Sequence, residues 1–332
     1  MTNNTDKTLK SQQSDIKQIG LSDYEKKKRR NYDFVKFMFG KVSDLRLNAI
    51  DECGANLLFL ADEKKEKHRL KSGFFCKNRF CPYCAWRKAR KDHMKLAVIM
   101  KMMSVKYKYE FLLVTLTTPN VKAENLEKEI KFFNASFMKM MKRKKFRGWG
   151  EDRRGNLFSG FVKGYVKRIE VTYNKKRDDY NPHIHAVFAV RRSYFKKNYL
   201  KHSEWLDEWR DVTGMPEITQ VDVRRLNDDN LEKSIYEVSK YAVKDSDYLI
   251  NQDVFDVFFS SLKHKRVLVY GGCMYDYARM YENGELDDWK TKDTTDYVYL
   301  LMSKFNYDSM EYENKYRVMT EEEKRETLNL FL

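Results

Sequence analysis

In the stretch NPHIHAVFAV, residues 181 to 190, two histidines stand two apart at the head of an apolar, β-favouring run. Residues two apart in a strand point to one face, so His183 and His185 project together while Ile184 and Ala186 point the other way. Two imidazoles there either hydrogen-bond within a core or form one side of a metal clamp. The preceding GYVKRIEVTY reads as the partner strand, joined through the polar loop NKKRDDYNP. A hairpin closing around residues 177 and 178 puts Glu170 opposite His185 and residue 172 opposite His183. A carboxylate without a partner is costly on a buried sheet face, and a shared cation would satisfy it. Two imidazoles and one carboxylate with open positions suit Mn²⁺ or Mg²⁺.

The rest of the chain supplies the frame for that pair of strands. FLLVTLTTP, residues 111 to 119, is a short apolar run closed by proline, as expected of a strand buried on both faces. AENLEKEIKFFNASFMKMMKRKKF and SEWLDEWRDVTG read as amphipathic helices, the second with Trp205 and Trp209 four apart as a packing pair. ITQVDVRRL and HKRVLVYGG read as further strands. From Tyr32 to about Leu60 the apolar residues recur at helical spacing, with Phe34, Phe37, Met38, Val42 and Leu45 on the expected buried face. With 4 prolines and 13 glycines, no internal repeats and no long linker, strands and helices alternate compactly in an α+β chain built on a central antiparallel sheet flanked by helices. Four regions follow: a flexible basic arm at 1–30, a helical region with a cysteine-rich knuckle at 31–105, the sheet core at 106–250 and a C-terminal region at 251–332.

Cys76, Cys81 and Cys84 follow a C-x4-C-x2-C spacing in which CPYC has the form of a zinc-knuckle turn. Three thiolates leave one position for a structural Zn²⁺. Cys53 completes an all-cysteine site, with His68 and His93 as competitors, and Cys273 is then the remainder. Lysine and arginine outnumber aspartate and glutamate 65 to 49, a net +16 that favours a polyanionic partner. No run reaches the roughly 18 apolar residues of a spanning helix, and the polar start has no signal-peptide core, so the reading is cytoplasmic with no membrane partner and nucleic acid as the leading one. Arg87, Lys88, Arg90 and Lys91, on the helix after the knuckle, are candidate phosphate contacts. EKKKRR at 25 to 30 is read equally as a DNA contact or a solubilising tail.

A last helix begins near Asp229 and is expected to run to about Lys244. Glu237, Tyr241 and Lys244 then share one face. A phenol is a poor nucleophile at neutral pH, but it can attack a phosphodiester whose charge a cation stabilises. Glu237 is placed as a general base on water, and Lys244 to steady phosphate or phenolate. Tyr236 is a rival nucleophile, but five residues earlier it lies about 140° around the helix from Tyr241.

The ordered set of FLLVTLTTP, the HIH strand with its upstream glutamate and the E-x-x-x-Y-x-x-K helix resembles the three motifs of the rolling-circle replication initiator (Rep) proteins of small Gram-positive plasmids, in the HUH endonuclease superfamily. The resemblance covers roughly residues 50 to 275 and includes FCKNRFCPYCAWRKARK and YAVKDSDY. It implies an HUH endonuclease fold with a zinc-knuckle-like N-terminal insertion, the metal on one sheet face held by His183, His185 and Glu170, and Tyr241 as nucleophile. It implies site- and strand-specific nicking at a plasmid double-strand origin, single-stranded at the cut, through a 5′-phosphotyrosine that leaves a 3′-hydroxyl primer. Glu237 would activate water at termination. The resemblance also implies a host helicase and DNA polymerase as partners; self-association is left open, as is whether residues 251–332 bind the origin or a partner. The rival readings are another HUH nuclease, a relaxase or a transposase, and a non-catalytic zinc-containing origin-binding protein. Relaxases usually carry the tyrosine near the N-terminus and use three histidines, unlike this chain.

Overall fold

The computed structural model describes residues 20–152, 154–197, 199–240 and 244–329. In chain order the elements are α1 (Leu21–Val35), α2 (Asp44–Asp51), β1 (Asn56–Asp62), β2 (His68–Gly73), α3 (Pro82–Tyr107), β3 (Tyr109–Thr117), α4 (Leu126–Lys142), β4 (Val162–Asn174), β5 (Asp179–Arg191), α5 (Tyr194–Lys197) and α6 (His202–Thr213). They continue with β6 (Asp222–Arg225), α7 (Asp228–Ser239), α8 (Asp245–Tyr248), α9 (Gln252–Leu262), β7 (Leu268–Gly272), α10 (Cys273–Glu282), β8 (Tyr297–Asn306), β9 (Glu311–Val318) and α11 (Glu321–Asn329). No helix among the described residues is long and apolar enough to cross a membrane.

The chain divides into two compact units, Met1–Ala85 with Thr291–Leu332, and Trp86–Lys290. The first holds a sheet of order β2-β1-β8-β9 and the second one of order β6-β3-β5-β4-β7, and every pairing in both is antiparallel. The α+β class and the central antiparallel sheet are therefore as read from the sequence. The division cuts the chain elsewhere than at 30, 105 and 250, because β8, near the C-terminus, pairs along the whole of β1.

In the first unit, residues 21 to 30 are not a flexible arm but part of α1. Tyr24, Lys28, Asn31 and Phe34 recur every three or four residues and are buried together. Residues 1–19 lie outside the described residues. The expected helix up to Leu60 is broken after Met38: Leu45 is 83 % exposed, and Leu57 to Ala61 lie in β1. A continuous apolar run of this length satisfies a helix period and a buried strand alike, and pairing with β2 and β8 decides for the strand.

In the second unit β5 lies at the centre, between β3 and β4. Its residues 184, 186, 188 and 190 share one face, where Phe188 packs with Phe137 of α4 and Trp205 of α6. Trp205 and Trp209 are buried, the Trp209 indole donating to the Thr117 carbonyl at 2.8 Å, so the pair is core. On the opposite face Val187 and Ala189 join Leu113 and Val166 in a core closed by Leu96, Ile99 and Met103 of α3, Ile235 and Val238 of α7, and Met274 of α10. Burying each such large aliphatic side chain stabilises the unit by roughly 1.5–3 kcal/mol. His183 and His185 continue this second face beyond the apolar core, which places the two imidazoles beside the end of α7.

Candidate active site

β4 and β5 pair so that Glu170 faces His183 and Arg168 faces His185. The register thus differs by two residues from the one expected, because the hairpin closes one residue earlier. Asn174 Oδ1 accepts from the backbone N–H of Lys176 and Arg177 at 3.0 and 3.1 Å, and Asp178 takes a positive φ of 48°. This side-chain-nucleated turn fixes the pairing. A shift of two leaves the face unchanged, so Glu170 still stands with both histidines.

Glu170 is 2 % exposed, and its Oε2 lies 3.2 Å from His183 Nε2 and 3.0 Å from His185 Nε2. The third neighbour is Lys240, whose Nζ is 2.8 Å from the same oxygen. Burial alone pushes the Glu170 carboxyl up, but the hydrogen bonds of His183, His185 and Lys240 outweigh it and hold the group well below the usual carboxylate range. His183 Nδ1 donates to the Asn181 carbonyl at 3.3 Å, and His185 Nδ1 faces Thr115 Oγ1 at 3.1 Å across the β3–β5 pairing.

A neutral imidazole that donates through Nδ1 presents a bare lone pair at Nε2. At His183 that lone pair would point at a carboxylate oxygen, an arrangement that calls for a proton or a shared cation. One ligand atom each from Glu170, His183 and His185 lies within 4.8 Å of the others, and this donor set fits a divalent metal. Thr115 was missed in the sequence, where its strand showed no ionisable group. Its hydroxyl orients His185 as outer partners orient metal-bound histidines. Thr115→Val is expected to weaken Mn²⁺ binding by about 10- to 100-fold with the fold intact, measured by EPR titration.

The helix carrying the candidate acid and nucleophile is shorter than expected. α7 ends at Ser239, whose hydroxyl bonds back to the Ile235 carbonyl at 2.7 Å, a side-chain competitor for the helical ladder. Glu237 is half-buried in its last turn. Tyr241 lies outside the described residues. Lys244 sits past the helix, exposed and in extended backbone at the start of α8, so it does not share a helical face with Glu237. The ammonium at the cluster is instead Lys240, directly before Tyr241 in the chain. Arg168, two residues before Glu170 on the same strand face, was also unforeseen: it is buried, and its Nε donates to the Val238 carbonyl at 2.8 Å.

In the first unit Cys53, Cys76, Cys81 and Cys84 converge, and neither His68 nor His93 belongs to the group. His68 instead has its Nε2 2.9 Å from the Tyr316 hydroxyl. The Sγ separations are 3.5 Å for Cys53 to Cys84, 3.7 Å for Cys76 to Cys84 and 3.7 Å for Cys81 to Cys53. Four thiolates about 2.3 Å from a tetrahedral Zn²⁺ would stand about 3.8 Å apart, close to this spacing. Pro82 opens α3 at its first helical position, which sets Cys81 just before the helix and Cys84 in its first turn. After Cys53 comes Gly54 at φ +74°, where a Cβ would come within 2.7 Å of the Tyr83 ring. The Cys76 N–H donates to Cys53 Sγ at 3.4 Å and the Asn31 amide to Cys81 Sγ at 3.3 Å. The Cys84 thiol is held far below its ordinary range, foremost by the hydrogen bond with Cys53 and then by those with Cys76 and Cys81. Cys273 is outside the cluster, and burial pushes its thiol up to about 12.

Of the four candidate phosphate contacts on α3, Lys88 and Lys91 are exposed while Arg87 and Arg90 are half-buried. Lys88 is paired with Asp92, and the Arg90 guanidinium lies 5.9 Å from the Trp86 ring.

A family described as "Replication protein" matches residues 67–322. The chain is 48% identical over 234 residues to "Protein rep" of Staphylococcus aureus, covering 70% of this chain and 96% of that protein. It is 30% identical over 261 residues to "Protein rep" of Bacillus amyloliquefaciens, covering 72% and 74%, and 28% identical over 289 residues to that of Streptococcus pneumoniae serotype 2, covering 81% and 86%. No solved structure matches the chain. The chain belongs to the Rep family of plasmid replication initiators.

Proposed function

We propose that this chain initiates rolling-circle replication as a metal-dependent, site- and strand-specific DNA nicking and joining enzyme of the HUH type. One observation carries the reading: Glu170, His183 and His185 aim three ligand atoms at one point of an otherwise buried sheet face. Membership of the replication-initiator family supports plasmid origin DNA as the substrate, and the reading takes that DNA to be single-stranded at the cut.

Glu170, His183 and His185 would hold Mn²⁺ or Mg²⁺, which when bound supplies Lewis acidity at the scissile phosphate. Tyr241 attacks the phosphorus, forming the Tyr Oη–P bond as the P–O3′ bond breaks. The phenol proton leaves to solvent, and the departing 3′-oxygen takes a proton from solvent to become the primer hydroxyl. Lys240, an ammonium already at the cluster, balances phosphate charge, and Lys244 is a further phosphate contact. In the closing reaction Glu237 takes a proton from water, whose oxygen cuts the regenerated origin and frees a 3′-hydroxyl; that hydroxyl attacks the phosphotyrosine, the P–Tyr Oη bond breaks, the strand is joined and the phenolate takes up a proton. Cys53, Cys76, Cys81 and Cys84 hold a structural Zn²⁺. Arg87, Lys88, Arg90 and Lys91 contact phosphates without reading sequence. The setting is the cytoplasm, with a host helicase and polymerase taking over the primed strand.

The test is incubation of the protein with supercoiled plasmid carrying its own origin, with and without Mn²⁺. Metal-dependent open circles are expected from wild type, with loss of about 100-fold or more in rate for His185→Ala. Tight origin binding with no metal-dependent nicking would make the chain a binding protein.

A further inference from the structure

We propose that Arg168 and Asp92 form a latch that positions the end of α7, with Glu237 in its last turn and Lys240 just past it, beside the Glu170–His183–His185 cluster that Lys240 reaches. The proposal rests on the nicking function proposed above. Arg168 is 4 % and Asp92 5 % exposed, and Arg168 Nη2 lies 3.2 Å from Asp92 Oδ2. The same guanidinium donates through Nε to the Val238 carbonyl at 2.8 Å. That oxygen is in the last helical turn, where carbonyls lack intrahelical donors and a positive charge is favoured.

The latch occupies the same strand as the metal-site carboxylate. Arg168 and Glu170 are two apart on one face of β4, and Arg168 faces His185 across the β4–β5 pairing. One rigid strand thus holds both the group that would bind metal and the fork that grips the helix end. Asp92 orients the fork from α3, and Ser239 Oγ lies 3.4 Å from His93 Nδ1, the next residue of that helix.

Stability alone is a poor reason for such an arrangement. Burying a guanidinium and a carboxylate incurs a desolvation penalty that their attraction only about offsets, and apolar side chains of similar volume often serve as well. A planar fork can bond a carboxylate and a carbonyl at once in fixed geometry, which an ammonium does less well. The gain is in position: a displacement of about 1 Å at reacting groups costs about 100-fold in rate.

The test uses the full chain with Mn²⁺ and a single-stranded origin oligonucleotide, for wild type, Arg168→Met and Arg168→Lys. Single-turnover adduct formation separates the fraction of competent enzyme, read as amplitude, from the rate of each competent molecule. The latch predicts a rate about 30- to 100-fold lower in both variants. It predicts Mn²⁺ affinity by EPR within about 2-fold of wild type, and slowing of Glu237-dependent release by a similar factor. A merely structural role would lower amplitude and melting temperature and leave the rate alone, which would overturn the proposal. So would a loss that follows weakened Mn²⁺ binding. If Arg168→Met does not fold, Arg168→Lys, which keeps the charge facing Asp92, decides the matter. A wild type that forms no adduct sinks the nicking function and the latch together, whereas an active wild type with equally fast variants sinks the latch alone.

Discussion

Tyr241→Phe is expected to abolish the covalent protein–DNA adduct and to lower nicking by at least about 10⁴-fold, while origin binding stays within about 2-fold. The phenolic oxygen is the atom that forms the new bond, and phenylalanine keeps the ring and removes only that atom. No other group takes its place in the proposed chemistry: Glu237 activates water only in the closing reaction, once the adduct exists. Tyr236, 56 % exposed on α7, is the control. Tyr236→Phe should nick within about 2-fold of wild type, since the exposed Tyr236 side chain takes no part in the proposed chemistry. The readout is a denaturing gel of labelled oligonucleotide, in which the adduct migrates with the protein. Equal loss in both variants would transfer the role to Tyr236 or remove it from both.

The second large effect concerns the cysteine cluster. Cys81→Ser is expected to release the zinc and to unfold residues 20–85, with one zinc per chain lost from the purified protein. Structural zinc contributes apparent free energies of about 10 kcal/mol or more, comparable to the whole stability of a domain. Cys81 is fully buried, and burial pushes its own thiol well above the ordinary range. Cys273→Ser, away from the cluster, should keep both zinc and fold. Zinc content by atomic absorption and backbone hydrogen exchange across residues 20–85 measure the two outcomes. Full zinc and unchanged exchange in Cys81→Ser would remove the site.

Short-range features of the candidate site were legible from spacing. The histidine pair and Glu170 were assigned to one face because strand period is two, and a register error of two residues could not change that. Cys53 was the preferred fourth thiol, and the structure brings it to the other three. What the sequence hid depended on contacts distant in the chain or on single side chains. β1 reads as helix in the sequence because its strand character comes from β8, more than two hundred residues later. The end of α7 was missed because a lone serine bonding back to Ile235 leaves no periodic trace. Thr115, Lys240 and Arg168 gave no signal, since a threonine in a β run, a lysine near a tyrosine and an arginine in a strand are ordinary until the register aligns them. Lys244 shares a face with Glu237 only if the helix continues past its end at Ser239.

The most direct test of the account is peptide mapping of the covalent adduct. Protein is trapped on a 5′-labelled origin oligonucleotide with Mn²⁺, digested, and the modified peptide sequenced by mass spectrometry. The account predicts a single phosphotyrosyl bond at Tyr241 that requires metal and disappears in Glu170→Ala. A bond at another residue, or metal-dependent nicking with no covalent protein–DNA species at all, would contradict it.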